Sequence, residues 1–130
     1  MELKTLVRGL QHLGIPTKNL PESEQFYEQL GFTVIYRGRH GPYLEPVSFL
    51  EKGGLVLEVY ETADAAGRDG AIAHLALDTA DIEDAWNEAK RLGLSFVSPK
   101  IEFLPFWESG VRYFIVEGPN KEKIEFNQRL

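Results

Sequence analysis

One stretch of this sequence occurs twice, and the second copy follows the first at a constant spacing. Residues 12–32 and residues 74–94 align without a gap, 62 positions apart. The matched positions are His12 with His74, Leu13 with Leu75, Thr17 with Thr79, Leu20 with Ile82, Leu30 with Leu92 and Gly31 with Gly93. An internal repeat constrains the fold strongly, because each copy is expected to form the same structural unit. The chain is therefore predicted to consist of two similar halves, each opening with a histidine.

The local pattern of each half predicts the order strand, helix, strand, strand, strand. Apolar alternation predicts first strands at 6–16 and 71–78. Helices follow, with Asn19 and Asp81 near the N-caps and Gly31 and Gly93 at the ends. The remaining strands are predicted at 32–36, 47–51 and 55–60 in the first half and at 94–97, 111–116 and 121–127 in the second, with loops at 37–46 and 98–110. The expected fold is α+β, with two tandem βαβββ modules (residues 1–62 and 71–130, linker 63–70) in one domain, 1–130, forming a shared β-sheet cup.

Composition excludes several classes of function. A length of 130 residues suits one compact domain, and a net charge of −6 with mixed signs argues against binding of nucleic acid. The chain has no cysteine, which excludes a disulfide framework and a thiolate site. No signal-peptide core and no membrane-length apolar run is present, so we expect a cytoplasmic protein without membrane contact.

Two histidines and two glutamates occupy matching positions in the two halves. Glu58 and Glu125 lie in the last strand of each half and have apolar neighbours on both sides. Strand alternation turns those neighbours towards the helix and both glutamates towards the cup, and the same reasoning applies to His12 and His74. The glutamates are 67 positions apart rather than 62, so the second half has five extra residues, which we expect in the loop 98–110.

This set of side chains predicts a divalent-metal site. Imidazole nitrogen and carboxylate oxygen suit zinc, nickel, iron, cobalt or manganese, and four protein ligands on a six-coordinate ion leave two positions for substrate oxygens. A single histidine in a strand is more often a hydrogen-bonded polar group, and a single glutamate usually lies on a solvated face. The repetition of both residues at matching positions favours the metal site.

Other side chains give weaker signals for contact with a substrate. The residues predicted to make it are Arg37, Tyr60, Phe106, Trp107, Arg112 and Asn127. Arg37, with Arg39 and His40, would clamp an anion or belong to a solvated loop. The aromatic residues of the loop 98–110, including Phe103, would form a lid, pack in the core or form a dimer contact. Trp86 is predicted to lie in the core.

Three segments resemble the vicinal oxygen chelate superfamily, which includes glyoxalase I, methylmalonyl-CoA epimerase, extradiol dioxygenases and the fosfomycin and bleomycin resistance proteins. They are His-Leu-Gly-Ile-Pro-Thr from His12, Phe-Tyr-Glu-Gln-Leu-Gly-Phe from Phe26, and Glu-Gly-Pro-Asn-Lys-Glu-Lys-Ile-Glu-Phe from Glu117. The resemblance covers essentially the whole chain and implies paired βαβββ modules. The reaction does not follow from it, because members share the scaffold and differ in chemistry.

The ligand pattern narrows what the resemblance implies. Dioxygenase and fosfomycin-type members use the equivalents of His12, His74 and Glu125, whereas glyoxalase I adds a glutamate at the position of Glu58. The full set implies a metal-dependent lyase or isomerase, with nickel, zinc, cobalt or manganese favoured over iron. It would form an enediolate, with Glu125 as the first candidate for the base and Glu58 as its partner. A homodimer is expected, with the cup closed either within one chain or between two chains. The alternative functions are an iron-dependent ring-cleaving dioxygenase and a metal-free drug-binding protein.

The sequence departs from glyoxalase I where that enzyme holds glutathione. Bacterial glyoxalase I has an arginine shortly after its first histidine and an asparagine shortly after its first glutamate. Here those stretches read Gly-Ile-Pro-Thr and Val-Tyr-Glu-Thr. This favours a different small molecule, such as a hydroxy-ketone, a sugar-like compound or an acyl thioester, although a glutathione adduct is the best-known precedent.

Overall fold

A computed structural model of the chain describes residues 2–6 and 8–130, which form two compact units, Met1–Ala65 and Ala66–Leu130. The first unit contains α1 (Leu3–Leu6), β1 (Leu13–Thr17), α2 (Leu20–Gln29), β2 (Thr33–His40), β3 (Glu45–Lys52) and β4 (Leu55–Glu61). The second contains β5 (His74–Asp78), α3 (Ile82–Arg91), β6 (Ser95–Phe96), β7 (Glu102–Leu104), β8 (Val111–Glu117) and β9 (Lys123–Arg129). The boundary between the units falls inside the segment predicted as a linker.

Each unit has one sheet with the same connectivity. The strand order is β1-β4-β3-β2 in the first sheet and β5-β9-β8-β6 in the second, where β7 also pairs with β8. The first strand of each unit runs parallel to the last, and the other pairs are antiparallel. The α+β fold with two βαβββ modules is thus confirmed.

The two long helices begin and end where the sequence predicts. Asn19 accepts a hydrogen bond from the backbone N–H of Glu22 at 3.0 Å, and Asp81 caps α3 in the same way. Gly31 and Gly93 follow with φ of 95° and 71°, a conformation that favours glycine. No helix within residues 2–6 and 8–130 is long and apolar enough to cross a membrane.

Several strand boundaries differ from the prediction. The strand expected at 6–16 is β1 at Leu13–Thr17, Leu6 ends the short helix α1, and Val7 lies outside the described residues. The prediction of a loop at 37–46 is wrong, because β2 continues to His40 and β3 begins at Glu45. A bulge between Val34 and Tyr36 shifts the alternation of inward and outward side chains along β2, which explains why the strand predicted at 32–36 ended too early. The loop expected at 98–110 contains β7.

Strand register locates the extra residues of the second unit. Thr33 pairs with Glu51 in the first unit, and Ser95 pairs with Glu117 in the second. The equivalent residues Thr33 and Ser95 are therefore 62 positions apart, whereas Glu51 and Glu117 are 66 positions apart. The spacing reaches 67 only at the last strands, where Glu58 and Glu125 lie. Four of the five extra residues therefore precede β8, and the fifth lies in the closing hairpin turn rather than in the predicted loop.

Candidate metal centre

Glu125 lies on the face of β9 that points away from α3. Its neighbour Ile124 is 1% exposed and belongs to the core beneath the helix, so alternation turns Glu125 to the opposite, open face. The Cα partner of Glu125 on β5 is Ala76, a residue with a small side chain. His74 precedes Ala76 by two residues, and its Nε2 lies 3.8 Å from Glu125 Oε1. The second unit therefore brings together one predicted histidine and one predicted glutamate.

Asn127 holds the other oxygen of this carboxylate. Its Nδ2 donates a hydrogen bond to Glu125 Oε2 at 2.9 Å, from the next position on the same face of β9. The Glu125 side chain is 14% exposed and that of His74 is 49% exposed. Asn127 therefore holds one carboxylate oxygen of Glu125, while the other lies on the side of His74.

The first unit repeats this placement. Glu58 has Gly14 as its Cα partner on β1 and Phe49 as its partner on β3. His12 precedes Gly14 by two residues, and its ring meets Phe49 edge-on at 5.7 Å. His12 Nδ1 lies 2.9 Å from the amide oxygen of Gln11. This contact occupies Nδ1 of the ring, so Nε2 is the ring nitrogen that the Gln11 contact leaves available as a metal ligand.

These donors fit a divalent cation chemically. Each unit has an imidazole and a carboxylate at the repeated positions, and these are the types of nitrogen and oxygen ligand that zinc, nickel, cobalt and manganese accept. Across residues 2–6 and 8–130, no three histidine, cysteine, aspartate or glutamate side chains lie together in a way that would hold a metal ion. The four-residue ligand set therefore stays a prediction from the repeat.

Comparison with known proteins identifies the family. Residues 9–126 match the model of the Glyoxalase/Bleomycin resistance protein/Dioxygenase superfamily, and this range includes all four predicted ligands. The chain belongs to this superfamily. It is 31% identical, over 95% of its length and all of the relative's, to the uncharacterized protein YwbC of Bacillus subtilis (strain 168).

Solved structures share the fold of this chain. A glyoxalase family protein from Enterococcus faecalis matches with a TM-score of 0.77 at 19% identity, over 94% of this chain and 98% of that one. The fosfomycin resistance protein FosX from Listeria monocytogenes, complexed with Mn(II) and sulfate, matches with a TM-score of 0.71 at 18% identity, over 95% and 94%. The superfamily thus includes members that bind a divalent metal.

Two of the predicted substrate contacts lie on the other side of their sheets. Arg37 Nε donates to Glu24 of α2 at 3.0 Å, and Arg112 Nη2 lies 2.9 Å from Glu83 of α3. Both arginines therefore face the helix, because their pairing partners are helix residues. The expectation that they reach a substrate beside the glutamates does not match this placement.

Three further residues were predicted to contact the substrate: Tyr60, Phe106 and Trp107. Tyr60 is on the open face of β4, where its ring meets His40 edge-on at 5.4 Å. Phe106 and Trp107 are 54% and 68% exposed, which excludes packing in the core. Trp107 lies 4.1 Å from the guanidinium carbon of Arg129. A lid or an interface stays a prediction for these two aromatic residues.

Three residues that lie next to the predicted ligands and contacts were not predicted from the sequence: Gln11, Phe49 and Arg129. The signal for Phe49 was available, because the two-residue turn at 53–54 fixes the pairing of Lys52 with Leu55. Counting back along both strands from that turn places Phe49 opposite Glu58. No sequence signal identifies the contact of Arg129 with Trp107.

A small charge network anchors the strand end beside His74. Lys123, the Cα partner of His74, lies 3.3 Å from Asp69 and 3.5 Å from Glu117. Hydrogen bonding from Lys121, followed by the charges of Lys121 and Lys123, lowers the pKa of Glu117. Burial lowers the pKa of Lys123, but Asp69 and Glu117 outweigh it and leave that pKa raised. The network thus stabilises the fold at neutral pH. This stabilisation is lost as the pH falls through the pKa of Glu117 and as it rises through the pKa of Lys123.

Proposed function

We propose that this protein is a metal-dependent lyase or isomerase of the glyoxalase type, acting on a small molecule with vicinal oxygens through an enediolate. The observation that supports the proposal is the repeated register. In each unit a glutamate on the last strand faces a small residue, Gly14 or Ala76, and a histidine precedes that residue by two positions. Two independent surface glutamates would have no reason to share this arrangement.

His12, Glu58, His74 and Glu125 are the residues that would hold the cation, with nickel, zinc, cobalt or manganese as the expected metals. When bound, such a cation would polarise the substrate oxygens and lower the cost of removing the proton from the carbon next to the carbonyl. The remaining chemistry belongs to the side chains of the chain itself.

Glu125 is the proposed base. One carboxylate oxygen accepts the proton of the substrate C–H bond, the electron pair of that bond becomes the carbon–carbon double bond of the enediolate, and the carbonyl oxygen takes the negative charge. Return of the proton to the adjacent carbon, together with transfer of the hydroxyl proton to the oxygen that carries the negative charge, regenerates the carboxylate and completes an isomerisation. Asn127 keeps the carboxylate oriented through its bond to Oε2. Glu58 is the second carboxylate in this proton transfer.

Elemental analysis and solvent-isotope exchange test the proposal together. We expect about one nickel, zinc, cobalt or manganese ion per chain and lower metal content in Glu58→Ala. A panel of hydroxy-ketones, sugar-like compounds, acyl thioesters and glutathione adducts is then incubated in heavy water. We expect deuterium incorporation with the wild type and none with Glu125→Gln. Glu28→Gln, an exposed change on α2, is the matched control.

The same experiment separates the competing functions. Iron that is retained in Glu58→Ala, together with turnover that requires oxygen, would assign a dioxygenase. Absence of bound metal even after reconstitution, with tight binding of a planar or cationic drug, would assign a binding protein. Full exchange by Glu125→Gln would exclude Glu125 as the base.

A further inference from the structure

Arg129 is the next outward-facing residue of β9 after Glu125 and Asn127. The register pairs Glu125 with Ile115, Asn127 with Tyr113 and Arg129 with Val111, so the three side chains share one face of the strand. At about 3.3 Å per residue, the Cα atoms of Glu125 and Arg129 are about 13 Å apart. Arg129 thus lies on the surface that carries the proposed base, at a distance a small metabolite can span.

Trp107 covers one flat side of the Arg129 guanidinium. The guanidinium carbon is 4.1 Å from the ring centre, a distance typical of a stacked cation–π pair. Trp107 has φ of 61°, an uncommon conformation for a residue with a large side chain. Strained backbone persists only where the surrounding structure imposes it, so the conformation of the loop that carries Trp107 is set by its surroundings. The ring nevertheless remains 68% exposed.

The charge of Arg129 is not neutralised by a neighbouring carboxylate. Within residues 2–6 and 8–130, Arg37, Arg91 and Arg112 each pair with a glutamate, whereas Arg129, like Arg8, Arg39 and Arg68, has no carboxylate partner. The net charge of the chain is −6, so carboxylates are not scarce. Stacking uses the face of the guanidinium and leaves its in-plane N–H groups directed outward, and those groups match carboxylate and phosphate oxygens in pairs.

We propose that Arg129 and Trp107 form a subsite for an anionic group, a carboxylate or a phosphoryl group, carried by the substrate at the end remote from its reacting carbons. The proposal rests on the lyase or isomerase function, because it assigns the substrate of that site to the organic acids or phosphate esters. Arg129 supplies the charge and the paired donors. Trp107 keeps the guanidinium oriented and shields one side of it from water.

Tryptophan fluorescence tests the subsite directly, since the chain has only two tryptophans. In a Trp86→Phe background the signal comes from Trp107 alone. The full-length protein, with and without added Mn²⁺, is titrated at constant ionic strength with inorganic phosphate, succinate and, as an uncharged analogue, succinamide. We expect a saturable change with phosphate or succinate and none with succinamide. The stronger of the two anions identifies the phosphoryl or the carboxylate class.

Variants of Arg129 decide the outcome. We expect Arg129→Gln to weaken anion binding at least tenfold and Arg129→Lys, which keeps the charge but loses the planar fork, to show an intermediate loss. Arg91→Gln removes the same charge from the surface of α3 and is expected to bind like the parent; circular dichroism verifies the fold of each variant. Equal binding by Arg129→Gln, an equal response to succinamide, or no saturable response to either anion would overturn the proposal. None of these readouts requires turnover or bound metal, so such a failure is distinguishable from failure of the proposed function.

Discussion

The two oxygens of Glu125 have different surroundings, and that difference is set by a single side chain. Asn127 donates to Oε2 at 2.9 Å, while Oε1 lies 3.8 Å from His74 Nε2. A carboxylate held at one oxygen loses rotational freedom and presents the other in a fixed direction, and neighbours of metal ligands contribute in this way to affinity and activity. We therefore propose that Asn127 is a positioning residue that acts through Glu125, the proposed base.

We predict that Asn127→Ala weakens binding of Mn²⁺ or Ni²⁺ by about tenfold to a hundredfold, the range typical of lost hydrogen bonds to metal ligands. Isothermal titration calorimetry measures the change. Asn87→Ala on the exposed surface of α3 is the control and is expected to bind metal like the wild type. Rescue by Asn127→Gln would distinguish positioning from general disruption of the strand. Identical affinities for Asn127→Ala and Asn87→Ala would contradict the role.

In both units the same hydrogen bond joins the start of the helix to the last strand of the sheet, although the accepting residue differs between the units. The first backbone N–H of α2, at Leu20, donates to Glu61 Oε2 at 3.1 Å, and that of α3, at Ile82, donates to Gln128 Oε1 at 2.9 Å. Glu61 and Gln128 are 67 positions apart, the spacing of the last strands. A side chain from the last strand thus satisfies a helix donor that has no partner within the helix.

Glu61→Ala and Gln128→Ala are each predicted to lower the free energy of unfolding by about 1 kcal/mol, the usual cost of losing such a hydrogen bond. For a chain of this size that corresponds to a fall in Tm of roughly 3–5 °C. Glu28→Ala and Gln25→Ala, both exposed on α2, are the matched controls with expected changes below about 0.5 kcal/mol. Equal Tm values for variants and controls would show that solvent replaces the bond without cost.

A helix or strand is predictable from the sequence when the residues that determine its ends lie close to it in the chain. The helices were predicted correctly because caps and terminal glycines are local, as at Asn19 and Gly93. The extent of β2 was not, because its bulge and its pairing with β3 depend on residues far along the chain. The same limit applies at the site. Alternation put Glu58 and Glu125 on the open faces, but the helix-facing positions of Arg37 and Arg112 follow from partners that no local pattern reveals.

Across the whole molecule, the duplicated modules keep the positions of the site residues and differ beneath the helices. In the first unit Glu24 of α2 accepts hydrogen bonds from Ser48 at 2.7 Å and from Arg37. The equivalent positions in the second unit hold Trp86 and Phe114, whose rings meet at 5.2 Å. A polar network in one half thus corresponds to an aromatic cluster in the other. Packing beneath the helix tolerates this exchange because it requires only that the space be filled and the polar groups be paired.

This difference predicts unequal roles for the two tryptophans of the molecule. Trp86 packs against Phe96 at 4.5 Å and against Phe114, so Trp86→Ala removes a large side chain that the aromatic cluster encloses. We expect a loss of about 2–3 kcal/mol, towards the lower end for a tryptophan because the side chain is only half-buried. Trp107→Ala is the internal control, with an expected change within about 0.5 kcal/mol because the ring is exposed. Urea unfolding followed by circular dichroism measures both, and equal losses would show that the loop of Trp107 also supports the core.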